Sequence, residues 1–191
     1  VLHEKYIPIL KEAVLKWKDD KKVEGLLFNY THFFGSYEYV ADSRKWYRNE
    51  IRIIKNDSAI FSWLDAISFR KKDVKLKVKT VDASIHHYGW VKTPASQQAK
   101  QQSFHKMWHN DNWVKENVSS ANEYDYSNID SLKLFEGTHP LVMLDRIKSK
   151  KWKFEYDPTK KNLSFKNKML QLVGKIIGYR VGEYKNYILL K

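Results

Sequence analysis

The chain has no cysteine in its 191 residues. That excludes disulfide staples, thiolate zinc sites and thiol catalysis, and it fits a reducing cytoplasmic setting. Four prolines and seven glycines are too few for a collagen-like or low-complexity chain. No stretch approaches the ~20 apolar residues that span a bilayer, and no signal-peptide pattern is visible. The sequence shows no phosphate-binding loop, no G-x-G-x-x-G and no G-x-S-x-G, so no motif supports a P-loop, dinucleotide or serine-hydrolase reading. Acidic residues are the minority, 22 against 35 Lys and Arg, which leaves a formal net charge of +13.

What is present is globular in composition, with 42% apolar and 30% charged residues. Aromatics reach 15%, and their flat faces suit a core, a sugar-binding surface or base stacking equally. The basic balance attracts phosphates, nucleic acid or anionic headgroups. A solvated lysine-rich surface accounts for it as well, because many lysines alternate along strands.

The patterning predicts a helix over residues 3–18, with Ile7, Leu10, Val14 and Trp17 on one face. A buried strand follows at 23–30, then an aromatic loop at 31–44 turning at Gly35. Residues 46–56 alternate, placing Tyr47, Ile51 and Ile53 opposite Arg48, Glu50 and Arg52. In 74–80, Val74, Leu76 and Val78 face inward and three lysines outward, and the strand runs on into "SIHHYGW". From Pro94 the chain reads as helical, again over 137–149, and again over 164–178 between Ser164 as N-cap and Gly178 as stop. Gly174 inside that last helix implies close packing. The fold class expected is α/β to α+β, a mixed sheet followed by C-terminal helices. Residues 1–93 form its catalytic-domain part and 94–191 a mainly helical region packed on it.

Several groups invite a chemical reading. The 31–44 loop gathers His32, Tyr37, Glu38, Asp42 and Arg44 among aromatics, a mixture that suits carbohydrate. Asp65 stands alone among apolar neighbours, where a carboxylate's pKa tends to rise toward that of a general base. A helix-cap or ion-paired aspartate fits the same pattern. His86 and His87 point to opposite faces of their strand, so at most one faces a site, and Gly89 lets the backbone turn tightly beside them. His105 and His109 sit at i and i+4 but lack the glutamate of H-E-x-x-H, which argues against a zinc protease.

The segments "GLLFNYTHFFGSYEYVADSRKWYRNEIRIIKN", "VDASIHHYGWVKTP", "FEGTHP" and "GEYKNY" together resemble the C-terminal half of bacterial family 2 glycosyltransferases with a GT-A fold. The resemblance implies a metal-assisted inverting transfer from a nucleotide-sugar donor to a glycan or lipid-linked acceptor, with Mg or Mn as cofactor. It implies that the donor-binding half with its D-x-D element lies upstream of "VLHEKY", so that this chain alone is inactive. By the same resemblance His87 of "HYGW" lies near the metal or diphosphate, and Asp65, or in competition Asp42, is the base. His32, Tyr37 and Arg44 of the aromatic loop, with Trp90, line the acceptor site. Peripheral association with the anionic inner face of the membrane is expected, as is self-association into a homodimer through an uncovered sheet edge. The competing reading is a basic, aromatic-rich nucleic-acid-binding module without activity. Lysines spread along the whole chain argue against it, so no nucleic-acid partner is expected.

Overall fold

The computed structural model describes residues 1–64 and 68–191. Its elements run α1 (Ile7–Trp17), β1 (Gly25–Phe34), β2 (Tyr39–Ala41), β3 (Asn49–Ile54), β4 (Ile60–Trp63), β5 (Ser68–Lys71), β6 (Val74–Lys75) and β7 (Lys77–Trp90). Then follow α2 (Pro94–Trp108), α3 (Asp111–Asn117), β8 (Leu132–Leu134), α4 (Leu144–Lys148), α5 (Phe165–Ile177) and β9 (Ile188–Leu189). Asp65 lies outside the described residues.

The chain is a mixed α/β protein. Its main sheet has the order β8-β2-β1-β7-β9, with β3 also beside β1. β1 is the axis. It runs parallel to β7 and antiparallel to β3 and β2. The second half of the chain is therefore not only helical, since it supplies β8 at one edge and β9 at the other. A smaller antiparallel sheet, β4-β5-β6, carries the segment between β3 and β7.

"GLLF" forms the start of β1 because apolar residues on both faces need cover on both faces. Leu26 and Phe28 join Val81 and Ala83 beneath Leu10, Ala13 and Trp17 of α1. Leu27 joins Ile51, Leu76 and Val78, with Phe69 of the small sheet and Tyr187 of the tail. Each such fully buried side chain contributes about 2 kcal/mol of apolar transfer free energy.

Several expectations need correction. The inward face of α1 is Leu10, Ala13 and Trp17, while Ile7 and Val14 are exposed. Ile51 and Ile53 do not share a side. The register with β1 slips between Leu26 and Leu27, so Ile51 enters one core cluster and Ile53 the other. Val74 faces solvent, because the chain turns into a hairpin at β6 before the buried alternation begins at Leu76. Residues 31–34 are strand, not loop, and only at Gly35, with φ of +69°, does the chain turn. The 137–149 helix shrinks to a 3-10 turn at Leu141–Met143 and the short α4. Its anchors are Met143 and Ile147, with Leu141 and Leu144 exposed.

Candidate functional site

Past Asn29 the two central strands turn from apolar to polar and aromatic residues, and this is where they create a site. The parallel register sets His32 of β1 directly beside His87 of β7. The strand return after β2 then crosses above them, bringing Trp46 and Tyr47 against the His32 ring at centroid distances of 5.0 and 4.4 Å.

The hydrogen bonds fix the proton positions of this pair. His32 Nε2 lies 2.8 Å from the carbonyl oxygen of Tyr47. A carbonyl only accepts, so Nε2 carries the hydrogen. Burial drops the pKa of His32 to about 4, so the ring is neutral at pH 7 and its Nδ1 is an acceptor. His87 Nδ1, 3.2 Å away, must then donate to it. His87 is likewise lowered to about 4, by burial first and then by repulsion from His32 and Lys100. Among the described residues nothing donates to its Nε2 lone pair. That ring lies against Gly89, where an added Cβ would fall 2.6 Å from Nε2. Gly89 is therefore needed for ring space. It continues the strand instead of making the expected tight turn.

His87 borders a cleft of about 670 Å³. The cleft draws Arg44, Lys45, Arg48 and Arg52 from one segment and Arg180 from the tail, against two carboxylates among the described residues, Glu50 and Glu183. Both carboxylates are committed. Glu183 accepts from Arg48 Nε at 2.9 Å and Nη2 at 2.5 Å, and Glu50 pairs with Arg52, which also reaches the Tyr30 hydroxyl. Among the described residues Arg44 donates to backbone carbonyls, those of Leu170 and Val181, and pairs with no carboxylate. Burial and then Arg48 hold Arg180 below the ordinary guanidinium value, although Glu183 pulls the other way. Crowded cations of this kind favour an anion. The Tyr47 phenol, raised to about 12 by burial and then by Glu50, stays protonated at neutral pH. Phe104 of α2 and Tyr184 supply aromatic wall.

The site residues read from the sequence scatter. His87 and Arg44 both line the cleft. His32 does not: it is buried behind the wall, its ring nitrogens taken by His87 and the Tyr47 carbonyl. Tyr37 does not, being 1% exposed and packed with Phe33, Val40, Val91 and Met143. Asp42 stands beside the β2–β8 edge, where Lys161 pairs with it at 3.3 Å. Trp90 packs on Phe34, Trp46 and Tyr124 and is not part of the cleft wall. His86 faces the other way, toward Phe33, Tyr88 and Phe135. His109 stacks flat on Trp113 at 3.6 Å.

A divalent metal finds no complete donor set among the described residues, where no group of three or more His, Asp or Glu could hold an ion. His32 has spent both ring nitrogens, and His87 offers one. No helix among the described residues is long and apolar enough to cross a membrane. Arg48, Arg52, Arg180 and Glu183 are the cleft-lining residues that sequence reasoning missed as a site, although "DSRKWYRNEIR" and "YRVGEYKNY" carry them as two dense charged-aromatic blocks. No family model, no curated protein and no solved structure matches the chain.

Proposed function

We propose that the chain forms the acceptor-side part of a glycosyltransferase, and that the arginine-lined cleft beside His87 receives the phosphate-bearing portion of its substrates. The observation that carries this reading is the surplus of guanidinium groups around a cleft of about 670 Å³, a size that suits small molecules. Aromatic walls for sugar rings and arginines for phosphate oxygens are the two recognition elements a nucleotide-sugar needs. The parallel β1–β7 pair within a mixed sheet is compatible with the C-terminal half of a GT-A fold.

In the proposed reaction a carboxylate takes the proton of an acceptor hydroxyl. The oxygen attacks the anomeric carbon, and the bond to the diphosphate breaks with its electron pair leaving on phosphate. The arginines stabilise that developing charge. His87 has its basicity lowered, so its Nε2 lone pair orients a substrate hydroxyl by accepting a hydrogen bond and does not take the proton. The base is assigned to Asp65 on the sequence resemblance alone, since it lies outside the described residues; the competing Asp42 is paired with Lys161 and is not part of the cleft wall. No step is assigned to a metal.

A nucleic-acid reading draws on the same arginines together with Tyr47, Phe104 and Tyr184. Two measurements separate them. In the protein that carries transfer activity, Asp65→Asn should remove sugar transfer and leave nucleotide-sugar binding intact; unchanged turnover sinks the assignment. Titrating the 191-residue chain with phosphorylated glycans and with single-stranded oligonucleotides should show binding of the former, weakened by Arg52→Ala. Preference for oligonucleotide would establish the competing function.

A further inference from the structure

Helix α5 is turned inside out for a globular protein. Its half-buried face is polar and small, made of Asn167, Gln171 and Gly174 beside Leu170. On that face Arg44 donates to the Leu170 carbonyl at 3.4 Å, and a Cβ on Gly174 would come within 3.2 Å of the Tyr179 carbonyl. The close packing expected at Gly174 is thus the packing of the polar side. The opposite side carries Phe165, Met169, Leu172, Val173 and Ile176 at helical spacing, and all five are exposed, Phe165 at 80% and Ile176 at 76%. The helix is nonetheless well defined. Ser164 Oγ caps it by accepting from Asn167 N at 3.3 Å, and Gly178 ends it in the left-handed conformation at φ +68°.

The charges narrow down what can cover this stripe. α5 contains no acidic residue. Lys166 and Lys168 flank the apolar residues and Lys160 precedes the helix, all three exposed, while the neighbouring Lys161 is paired with Asp42. A second copy docked on the same face would set these lysines against their own kind, at a cost. A surface that is apolar below and anionic above satisfies both features, and a 13-residue helix is far too short to span it. We infer that α5 docks in the plane of an anionic lipid bilayer, with Phe165, Leu172 and Ile176 in the acyl boundary and the flanking lysines among the headgroups.

This inference stands on the helix and does not require the glycosyl-transfer reading. It has one consequence that does. A hollow of about 220 Å³ between α5 and the body shares Arg44, Arg48 and Arg180 with the cleft. A docked α5 therefore holds the cleft at the lipid surface, where a lipid-linked acceptor would present its phosphates.

The test is flotation of the 191-residue chain with vesicles of phosphatidylcholine alone and of phosphatidylcholine with phosphatidylglycerol in equal parts. Binding to the mixed vesicles only is expected, weakening as salt is raised. The double variant F165S/I176S should lower partitioning about tenfold or more, through loss of buried apolar area. K166E/K168E should lower it through charge. Both pairs are exposed, so circular dichroism should match the wild type. Equal flotation of F165S/I176S and wild type would overturn the proposal, because bulk charge would then suffice. It is overturned equally if no vesicle binds, or if sedimentation shows a dimer that F165S/I176S dissolves while vesicles are ignored. Loss of sugar transfer with vesicle binding intact would fault the proposed function and leave this inference standing.

Discussion

His32 and His87 meet across the parallel β1–β7 pair with their Nδ1 atoms 3.2 Å apart, and only one of the two can hold the proton between them. The Tyr47 carbonyl decides which, because it claims the His32 Nε2 hydrogen. His87 should therefore be the Nδ1–H tautomer with an unprotonated Nε2 at pH 7. Long-range proton–nitrogen NMR correlation on a histidine-labelled chain reads this directly. An Nε2–H signal for His87 would overturn the assignment and with it the hydroxyl-orienting role.

Buried neutral histidines also set a pH dependence. Burial lowers His32, His86 and His87 from their ordinary 6.5 to about 4. His139 assists for His86, and His32 for His87. Between those limits the unfolded chain binds more protons than the folded one, so stability rises with pH and is lost as pH falls from about 6.5 toward 4. Each histidine contributes up to about 1 kcal/mol per pH unit within that window. Urea midpoints measured from pH 7 to pH 5 should fall, and His32→Gln should flatten the slope. A midpoint constant over that range would contradict the burial of these rings.

How far the sequence carried this fold differs from element to element. The core strands were legible because Leu26, Leu27 and Phe28 on one side of the pair, and the alternation at Leu76 and Val78 on the other, reflect burial directly. The caps of α5 were legible because Ser164 and Gly178 act through local geometry. The faces were not. A one-residue slip opposite Leu26 and Leu27 sends Ile51 and Ile53 to opposite cores, and no period-2 pattern contains a slip. The cleft was only half legible, since Arg180 and Glu183 meet Arg48 across more than 130 positions. Only the fold brings them together.

Gly89 gives a sharper test of the histidine pair. A methyl group there would sit 2.6 Å from His87 Nε2 and 2.8 Å from Cε1, so the ring must shift or the strand must part. Gly89→Ala should cost about 1–3 kcal/mol. Adding His87→Ala to it should restore most of that loss, because the clash partner is gone. A double variant no more stable than Gly89→Ala alone would show that the strain lies elsewhere.

Gly35 should be intolerant for two independent reasons. Its φ of +69° disfavours any side chain, and an added Cβ would lie 2.5 Å from the Phe154 ring. Its amide and carbonyl are also engaged, with the Trp90 carbonyl at 3.0 Å and the Trp152 indole at 2.8 Å. Gly35→Ala should therefore cost more than the ~1 kcal/mol of left-handed backbone strain alone. Phe154→Ala should recover only the steric part. Equal thermal midpoints for Gly35→Ala and wild type would contradict the turn.

The Arg48–Glu183 pair makes a prediction of opposite signs. The two side chains form a bidentate ion pair in the cleft wall, and with Arg48 nearly half exposed solvent screening holds its contribution to the fold to about 1 kcal/mol or less. Its consequence lies in the field. Burial pushes Glu183 upward, but Arg48, helped by Arg180 and Lys185, outweighs it and holds the carboxyl below its usual range, so Glu183 is ionised and offsets the very arginine a phosphate would use. If the cleft takes anions, Arg48→Ala should weaken pyrophosphate binding about tenfold, and Arg48→Lys should rescue little because an ammonium cannot form the two-pronged contact. Glu183→Gln should strengthen the same binding, because it frees Arg48 and leaves Arg180 uncompensated. Isothermal titration with inorganic pyrophosphate measures all three. Weaker binding in Glu183→Gln would mean that the carboxylate orders the tail and does not compete with the ligand.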